Sequence, residues 1–438
     1  MGYQLDKRQF EILDMLVRFN TESPPGRNTD PLQDEIETLL KQLDFSIQRE
    51  QLYDNDSVIV ATLKGHNPKA PKLILNGHVD VASVDDDQYW QYPPFKLTNK
   101  DEWLYGRGVS DMKGGMSSLF YVLEQLHQAG QRPEGDIIVQ SVVGEEVGEA
   151  GTKRACEIGP KGDLALVLDT SENQALGQGG VITGWITVKS KNTIHDGARS
   201  QTIHAGGGLF GASAIEKMTK VIQSLNELER HWGVMKKSPG MPPGANTINP
   251  AVIEGGRHPA FIADECRLWI TVHYLPNESY ESVVNEIERY LNKVAEADVW
   301  LRENPLEFEW GGTSMIEDKG EIFPSFTVPT HHPGFKQLEE AHEHIHNKKL
   351  EHGMSTTVTD GGWTAHFGIP TILYGPGSLE EAHSVDEKIK AKELAQYSDV
   401  LYTFLKEWYE HPQSYKLSLI HISEPTRRLR GSRMPSSA

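Results

Sequence analysis

The chain has 438 residues, 37% of them apolar and 24% charged, and its 62 acidic residues against 43 Lys and Arg give a net charge of −19. This composition argues against a disordered chain, and the length favours two domains, because one hydrophobic core usually stops growing near roughly 250–300 residues. The acidic charge argues against a nucleic-acid or anionic-membrane partner, so we expect a small-molecule ligand.

Cysteine content and hydropathy bear on the compartment. The two cysteines, Cys156 and Cys266, are too few for a disulfide framework and fit a reducing environment. The N-terminus lacks a basic segment followed by an apolar run, and no apolar stretch approaches the roughly 18 residues that span a bilayer. We therefore expect a cytoplasmic protein that does not bind a membrane.

Helices and strands alternate in the first part of the chain. Apolar periodicity and breaker residues predict helices at about 6–20, 30–43 and 114–128, and strands at 58–63, 73–75, 137–143 and 164–168. The second helix begins with Asp30-Pro31, which we interpret as an N-cap followed by proline in the first turn. This order predicts an α/β fold with helices that flank a central sheet.

After Gly184 the order of elements changes. The patterns predict strands at 185–188, 246–253 and 266–274 and helices at 211–228 and 280–295, an order typical of a compact α+β domain. Beyond about Phe326, a helix at 335–346 and a strand at 371–374 resume the first pattern. We therefore predict one domain in two parts, 1–183 and 327–416, with a second domain inserted at 184–326.

The last 22 residues do not resemble a folded segment. Residues 417–438 resemble the in-frame translation of a sequencing adapter, from Leu417-Ser418-Leu419 to Ser436-Ser437-Ala438. We expect this tail to be an artefact that contributes nothing to the fold, with the natural end of the chain near or slightly beyond Lys416.

Side chains that can bind a metal follow the predicted strands of the first domain. They are His78 and Asp80, Asp111 among glycines before a helix, the pair Glu145 and Glu146, Asp169, and His383 after a Gly-Pro-Gly turn. Each is weak alone, because a lone aspartate is often an N-cap and adjacent glutamates usually lie on a solvated surface. Together, at the carboxyl edge of one sheet, they predict a site for two hydrolytic metal ions.

Spacing suggests how these side chains divide the work. His78 and Asp80 alternate along a strand and point the same way, so the Asp80 carboxylate can fix the second ring nitrogen of His78. Adjacent glutamates on an extended backbone face different ways, so one of Glu145 and Glu146 can bind a metal while the other contacts water.

In order and context, these motifs resemble the two-zinc family of acetylornithine deacetylase, succinyl-diaminopimelate desuccinylase, aminoacylase and carboxypeptidase G. The resemblance implies a zinc-aminopeptidase-like catalytic mixed sheet with an inserted α+β dimerisation (lid) domain, a homodimer, and two Zn²⁺ per chain that Co²⁺ or Mn²⁺ can replace. It also implies roles: His78 and Asp169 for the first zinc, Glu146 and His383 for the second, Asp111 as the bridge with a cis peptide to Met112, and Glu145 as general base.

The same resemblance implies further site residues. His204, in Ile203-His204-Ala205-Gly206, matches the family histidine that stabilises the oxyanion across the dimer, and we prefer it to His195. Gly375 and Gly377 are expected in the substrate site. The chain departs from the family at His273, where relatives often carry an arginine that binds a substrate carboxylate, and at Ala260, where an asparagine is common.

Several alternatives remain open. The Gly-x-Gly-x-x-Gly match at 206–211 lacks a leading strand and does not support dinucleotide binding, and His342, His344 and His346 fit a solvated helix better than a metal site. Our main functional prediction is an N-acyl amino acid deacylase of the acetylornithine deacetylase type. The alternatives are a deformylase or deacylase of a non-amino-acid amine such as a formylaminopyrimidine, a dipeptidase or carboxypeptidase, a non-catalytic binding module, and a structural scaffold.

Overall fold

The computed structural model of the chain describes residues 5–84, 89–148, 150–198, 211–317 and 319–414. The predicted oxyanion residue His204 and the tail 417–438 lie outside the described residues. No helix in the described ranges is long and apolar enough to cross a bilayer.

The strands, in chain order, are β1 (Ser46–Tyr53), β2 (Asp56–Leu63), β3 (Leu73–His78), β4 (Thr98–Lys100), β5 (Trp103–Tyr105), β6 (Ile137–Val142), β7 (Leu164–Val167), β8 (Ala175–Gly177), β9 (Gly180–Lys189), β10 (Ile194–His195), β11 (Thr247–Gly255), β12 (Phe261–Ile262), β13 (Glu265–Tyr274), β14 (Glu307–Trp310), β15 (Ile322–Phe323), β16 (His352–Met354), β17 (Thr371–Leu373) and β18 (Lys388–Lys390). The helices are α1 (Lys7–Val17), α2 (Asp30–Gln42), α3 (Lys113–Gln128), α4 (Gly151–Ile158), α5 (Ala214–Met235), α6 (Tyr280–Ala297), α7 (Val299–Glu303), α8 (Pro333–His346), α9 (Gly361–His366) and α10 (Ala391–Glu410).

The larger sheet is mixed, with strand order β1-β2-β6-β3-β7-β17-β8-β16. Strand β3 runs parallel to β6 and β7, and β17 runs parallel to β7, whereas β2 is antiparallel to β6. Every residue of β2, β3, β6 and β7 is buried, as expected for strands covered by helices on both faces. The predicted α/β fold with a helix-flanked mixed sheet is confirmed, and parallel strands β3, β6, β7 and β17 direct their carboxyl ends to one edge.

The second sheet is antiparallel, with strand order β11-β13-β9-β14 and β15 also paired to β9. The apolar faces of α5 and α6 pack on it and form a separate core that includes Met218, Trp232 and Ile287. This sheet begins at Gly180, four residues before the predicted domain boundary. The boundaries 184 and 326 themselves stay a prediction.

Some local features differ from prediction. Thr29 is the N-cap residue of α2, so Asp30 is the first helical residue rather than the cap. Glu145 and Glu146 lie in a short 3₁₀ helix, not on extended backbone, because Gly144 turns the chain with a left-handed φ of 82°. The prediction also omitted β1, whose partly buried Ile47 and Leu52 pack against the core of the larger sheet, and the long helix α10, whose buried side chains belong to that core.

Candidate metal centre and active site

The predicted metal ligands meet at the carboxyl edge of the larger sheet. His78 is the last residue of β3, Glu145 and Glu146 follow β6, and Asp169 follows β7. His383 follows β17, and Asp111 lies in the segment before α3. The residues that follow a buried strand lie at the edge of the sheet, outside the core, where polar side chains are tolerated. The carboxyl ends of parallel strands therefore bring these side chains together.

The side chains form two groups that share one aspartate. His78 Nε2 lies 3.4 Å from Asp111 Oδ1 and 3.9 Å from Asp169 Oδ2. On the other side, His383 Nε2 lies 3.3 Å from Asp111 Oδ2 and 2.8 Å from Glu146 Oε2. Within each group the candidate ligand atoms all lie within 4.8 Å of one another. Asp111 therefore offers one oxygen to each group, as a bridging carboxylate would, and its peptide bond to Met112 is cis as predicted.

Glu145 is placed beside both groups without joining either. Its Oε2 lies 3.9 Å from His78 Nε2, and its side chain lines a cavity of about 320 Å³ together with Asp111, Asp169 and His383. A carboxylate in that position can exchange a proton with a molecule held between the two groups.

Asp80 supports the site differently from the prediction. His78 Nδ1 lies 2.9 Å from the backbone carbonyl oxygen of Asp80 but 3.6 Å from its carboxylate, so the carbonyl fixes the ring. The Asp80 carboxylate instead accepts hydrogen bonds from the backbone N–H groups of Gly144 (2.9 Å) and Glu146 (3.1 Å). Asp80 thus fixes both His78 and the turn that carries the glutamate pair.

Burial and mutual repulsion perturb the carboxyl groups strongly. Burial raises the pKa of Glu145 and of Asp169 well above the ordinary range, and nearby carboxylates raise them further. Burial and the charge of Asp111 raise the pKa of Glu146 to about 7, while hydrogen bonds to Asp111 and Glu146 raise the pKa of His383 to about 10. Such a cluster of buried acids needs positive charge nearby.

The residues present fit metal ions. His78 Nε2 and Glu146 Oε1 are buried and have no hydrogen-bond partner among the described residues, which is costly unless another group binds there. The donor set combines imidazole nitrogen with carboxylate oxygen, the set that hydrolytic zinc sites use. No other group of three or more potential ligands occurs in the described ranges. The prediction of a solvated helix face is wrong for His342, which is buried with its Nδ1 2.8 Å from the Tyr374 hydroxyl, whereas His344 is exposed.

Sequence reasoning missed two buried acids near the site. Glu387 accepts hydrogen bonds from the backbone N–H groups of Gly108, Ser110 and Asp111 and from the guanidinium of Arg107. Asp360, the residue before α9, is buried, and burial raises its pKa to about 7. Glu387 stands four residues after His383, but no spacing rule indicates that it folds back onto the Asp111 segment.

The predicted substrate-binding residues lie in different places. A Cβ on Gly375 would collide with the carbonyl oxygen of Asp169, and one on Gly377 (φ 80°) would collide with Ser110, so both glycines permit close backbone packing. Neither is among the described residues that line the metal-site cavity, and their contact with substrate stays a prediction. His273, near the end of β13, lines a second cavity of about 450 Å³.

Comparison with known proteins places the chain in a family. Residues 74–407 match the model of peptidase family M20/M25/M40. The chain belongs to this family. Among curated M20 relatives, two are named N-formyl-4-amino-5-aminomethyl-2-methylpyrimidine deformylase. The protein from Halalkalibacterium halodurans is 56% identical over 408 residues (92% of this chain, 96% of the relative), and that from Bacillus subtilis is 51% identical over 399 residues (91% and 94%).

More distant M20 proteins share the fold. An acetylornithine deacetylase from Vibrio cholerae is 26% identical over 359 residues, covering 80% of this chain and 83% of the relative. The solved structure of an M20 metallo-carboxypeptidase from Sulfolobus solfataricus superposes with a TM-score of 0.69 at 16% identity, over 91% of this chain and 99% of that one. A Bacillus subtilis M20 protein described as a dinuclear metal-binding peptidase gives 0.63 at 14% identity, over 92% and 98%.

These comparisons confirm the predicted family and enzyme class. The chain is a metal-dependent M20 hydrolase that cleaves amide bonds, and its candidate site resembles a two-metal centre.

Proposed function

We propose that this M20 enzyme is a deformylase that releases formate from the N-formyl derivative of a small aminomethylpyrimidine. The observation that carries the proposal is the 56% and 51% identity to two proteins of that name, along nearly the whole of each chain. This was our alternative prediction. The main prediction, an acetylornithine-type deacylase, has weaker support, since the acetylornithine deacetylase quoted above is 26% identical.

We assign the two groups of ligands to two zinc ions, for which Co²⁺ or Mn²⁺ could substitute. His78, Asp111 and Asp169 would hold one ion, and Asp111, Glu146 and His383 the other. When bound, the ions would supply a water molecule of lowered pKa and polarise the formyl carbonyl. The Asp80 carbonyl would keep the His78 ring in the orientation that presents Nε2.

Glu145 is assigned the proton transfers. Its carboxylate would accept the proton of the attacking water and return it to the leaving nitrogen, so that formate and a primary amine are released. Its position supports this role, because Glu145 lines the cavity beside both groups of ligands without belonging to either. We further propose that His204 steadies the negative oxygen of the tetrahedral intermediate, and that the chain forms a homodimer in the cytoplasm through the inserted domain.

A direct comparison of substrates tests the proposal. Metal-reconstituted enzyme should hydrolyse N-formyl-4-amino-5-aminomethyl-2-methylpyrimidine with a kcat/KM at least about 100-fold above that for N-acetylornithine, a difference of about 2.7 kcal/mol. A preference for N-acetylornithine would overturn it.

A second comparison tests recognition of a carboxylate. An N-acetyl amino acid and its carboxamide analogue should differ by less than about tenfold, or about 1.4 kcal/mol. A larger preference for the carboxylate would restore the amino-acid prediction.

A further inference from the structure

A second cavity adjoins the metal-site cavity. Its volume is about 450 Å³, and it shares one wall, the segment Thr356-Thr357-Val358, with the cavity that contains Asp111, Glu145 and His383. The rest of its lining comes from the loop around Met241, from His273 and Tyr274 at the end of β13, and from Met354 at the end of β16. The two cavities are therefore neighbours on either side of this segment.

We propose that this second cavity binds the amine half of the substrate as a flat, uncharged heteroaromatic ring, and that Met241 and Met354 select for it. The inference rests on the proposed function and deepens it by naming the residues that choose the amine. Its first support is the chemistry of the lining: none of the described residues that line the cavity is Asp, Glu, Lys or Arg. An amine bearing a carboxylate would find no cation there to offset its desolvation.

The two methionines suit an aromatic ring. Both are partly buried, and thioether sulfur makes favourable contacts with aromatic edges and adapts to flat ligands. Met241 Cε lies 3.5 Å from the position of a Cβ on Gly179, so the thioether end of this side chain lies beside the residue that precedes β9. Met354, at the end of β16, lies against the loop around Met241: its Cγ is 3.0 Å from the position of a Cβ on Gly240. The presence of two thioethers in the lining therefore suits an aromatic occupant.

The floor of the cavity is rigid. A Cβ on Gly180 would overlap the ring of Tyr274, so the absence of a side chain lets this ring lie flat on β9. The Tyr274 hydroxyl donates to the carbonyl oxygen of Phe323 at 3.3 Å. The shared wall is fixed too, because the Ser355 N–H donates to the Gly177 carbonyl oxygen at 2.7 Å and the Thr357 N–H donates to Ser355 Oγ at 3.1 Å. A preformed cavity of this size lies in the range of small-ligand sites.

His273 supplies a polar contact without a fixed charge. His273 lines the cavity, and a neutral imidazole offers one donor and one acceptor. Ring nitrogens and an exocyclic amino group of a pyrimidine match such a partner, whereas a carboxylate would be held better by an arginine fork.

The test measures selectivity rather than activity alone. Met354→Ala and Met241→Ala should each lower kcat/KM for the N-formyl aminomethylpyrimidine by about 10-fold or more, because lost apolar contact in a binding pocket typically changes kcat/KM by roughly 10–200-fold. The value for N-methylformamide, which has no ring, should change less than about twofold. Met235→Ala, at an exposed position at the end of α5, serves as the matched control and should change neither value.

Two outcomes would overturn the inference: an equal loss on both substrates, or no loss on either with unchanged thermal unfolding. Calorimetric binding of the free aminomethylpyrimidine to Glu145→Gln protein separates this inference from the proposed function. If Met354→Ala weakens this binding at least about fivefold, the result supports the proposed role of the cavity, even if the wild type releases no formate. A wild type that releases no formate would overturn the deformylase proposal alone. Binding that Met354→Ala leaves unchanged removes the inference while the deformylase activity can stand.

Discussion

Arg107 and Glu387 form a buried ion pair, with Arg107 Nη1 2.8 Å from Glu387 Oε2. The glutamate also accepts the backbone N–H groups of Ser110 and Asp111, at 2.8 and 3.1 Å, while the arginine donates to the Ser384 carbonyl oxygen at 3.2 Å. The pair therefore joins the segment that carries Asp111 to the segment that carries His383. These two segments provide opposite sides of the second group of candidate ligands.

Replacing Glu387 by Gln should destabilise the protein by about 3 kcal/mol, because it leaves the Arg107 charge buried without a counter-charge. It should also weaken binding of the second metal ion, since Asp111 and His383 lose their common support. Urea unfolding measures the first effect and isothermal titration with Zn²⁺ the second.

The double variant Arg107→Met/Glu387→Gln should recover part of the stability. Lys41→Gln, which breaks the exposed pair with Glu37, should cost about 0.5 kcal/mol or less. A stability loss for Glu387→Gln no larger than this would contradict the role.

Replacing Glu145 by Gln should lower kcat by roughly 10²–10⁴-fold while the metal content stays near that of the wild type. The amide keeps the size of the side chain and removes its ability to accept a proton. Formate release and elemental analysis of dialysed protein measure the two quantities. Glu303→Gln, at an exposed position at the end of α7, should leave both unchanged. Near-normal turnover by Glu145→Gln would show that another group transfers the proton.

Mixing two inactive variants tests whether the site is shared between subunits. If His204 acts across a dimer, Glu145→Gln chains and His204→Ala chains should restore activity when mixed, because a mixed dimer contains one site with both residues intact. Random exchange would give at most about a quarter of the wild-type rate per chain from that site. Native mass spectrometry of isotope-labelled chains verifies the exchange. Verified exchange without recovery would place the action of His204 within one chain or remove it from the mechanism.

Stability should fall in mild acid partly through His342. Burial, helped by His346 and Lys348, lowers its pKa from 6.5 to about 4, and its Nδ1 lies 2.8 Å from the Tyr374 hydroxyl. A lowered folded-state pKa means that the unfolded chain binds the proton first. The contribution of His342 is therefore complete above about pH 6.5 and is lost as the pH falls towards 4.

The effect can be isolated on one helix. Between pH 7.5 and 5, the free energy of unfolding should fall about 2 kcal/mol less for His342→Gln than for wild type. This figure follows because each unit of pKa shift corresponds to about 1.36 kcal/mol. His344→Gln changes an exposed histidine of the same helix α8 and should retain the wild-type slope. Denaturant unfolding at several pH values gives the comparison. Equal slopes for the two variants would mean that His342 does not couple folding to pH.

The sequence was most informative for site residues that directly follow a strand along the chain. His78, Asp169 and the glutamate pair each follow a buried strand, and the parallel arrangement of those strands then brings them together. The metal-site prediction needed no distances, only the rule that parallel strands end at the same edge. Strand burial can be read from apolar runs, and the alternation of strands with helices favours a parallel arrangement.

Other features depended on contacts between distant segments. Glu387 meets Asp111 across 276 residues, and no local pattern encodes that approach. Strand β1 was missed because it is polar and lies at the edge of the sheet, without an apolar run. Helix α10 is different: its buried Leu394, Leu401 and Trp408 recur at helical spacing, so the signal was present although the prediction omitted it.

The segment Thr356-Thr357-Val358 lies between the metal-site cavity and the second cavity, and these two cavities are built from different parts of the chain. The candidate ligands on one side come from strand ends of the larger sheet, whereas much of the cavity on the other side comes from β13 and the loop near Met241. Mutations in that loop and strand can thus alter which amine is accepted while the hydrolytic groups stay in place. If the second cavity selects the amine, substitutions in β13 and in the loop near Met241 would change the accepted metabolite while the hydrolytic groups are kept, so directed evolution of this scaffold should begin there.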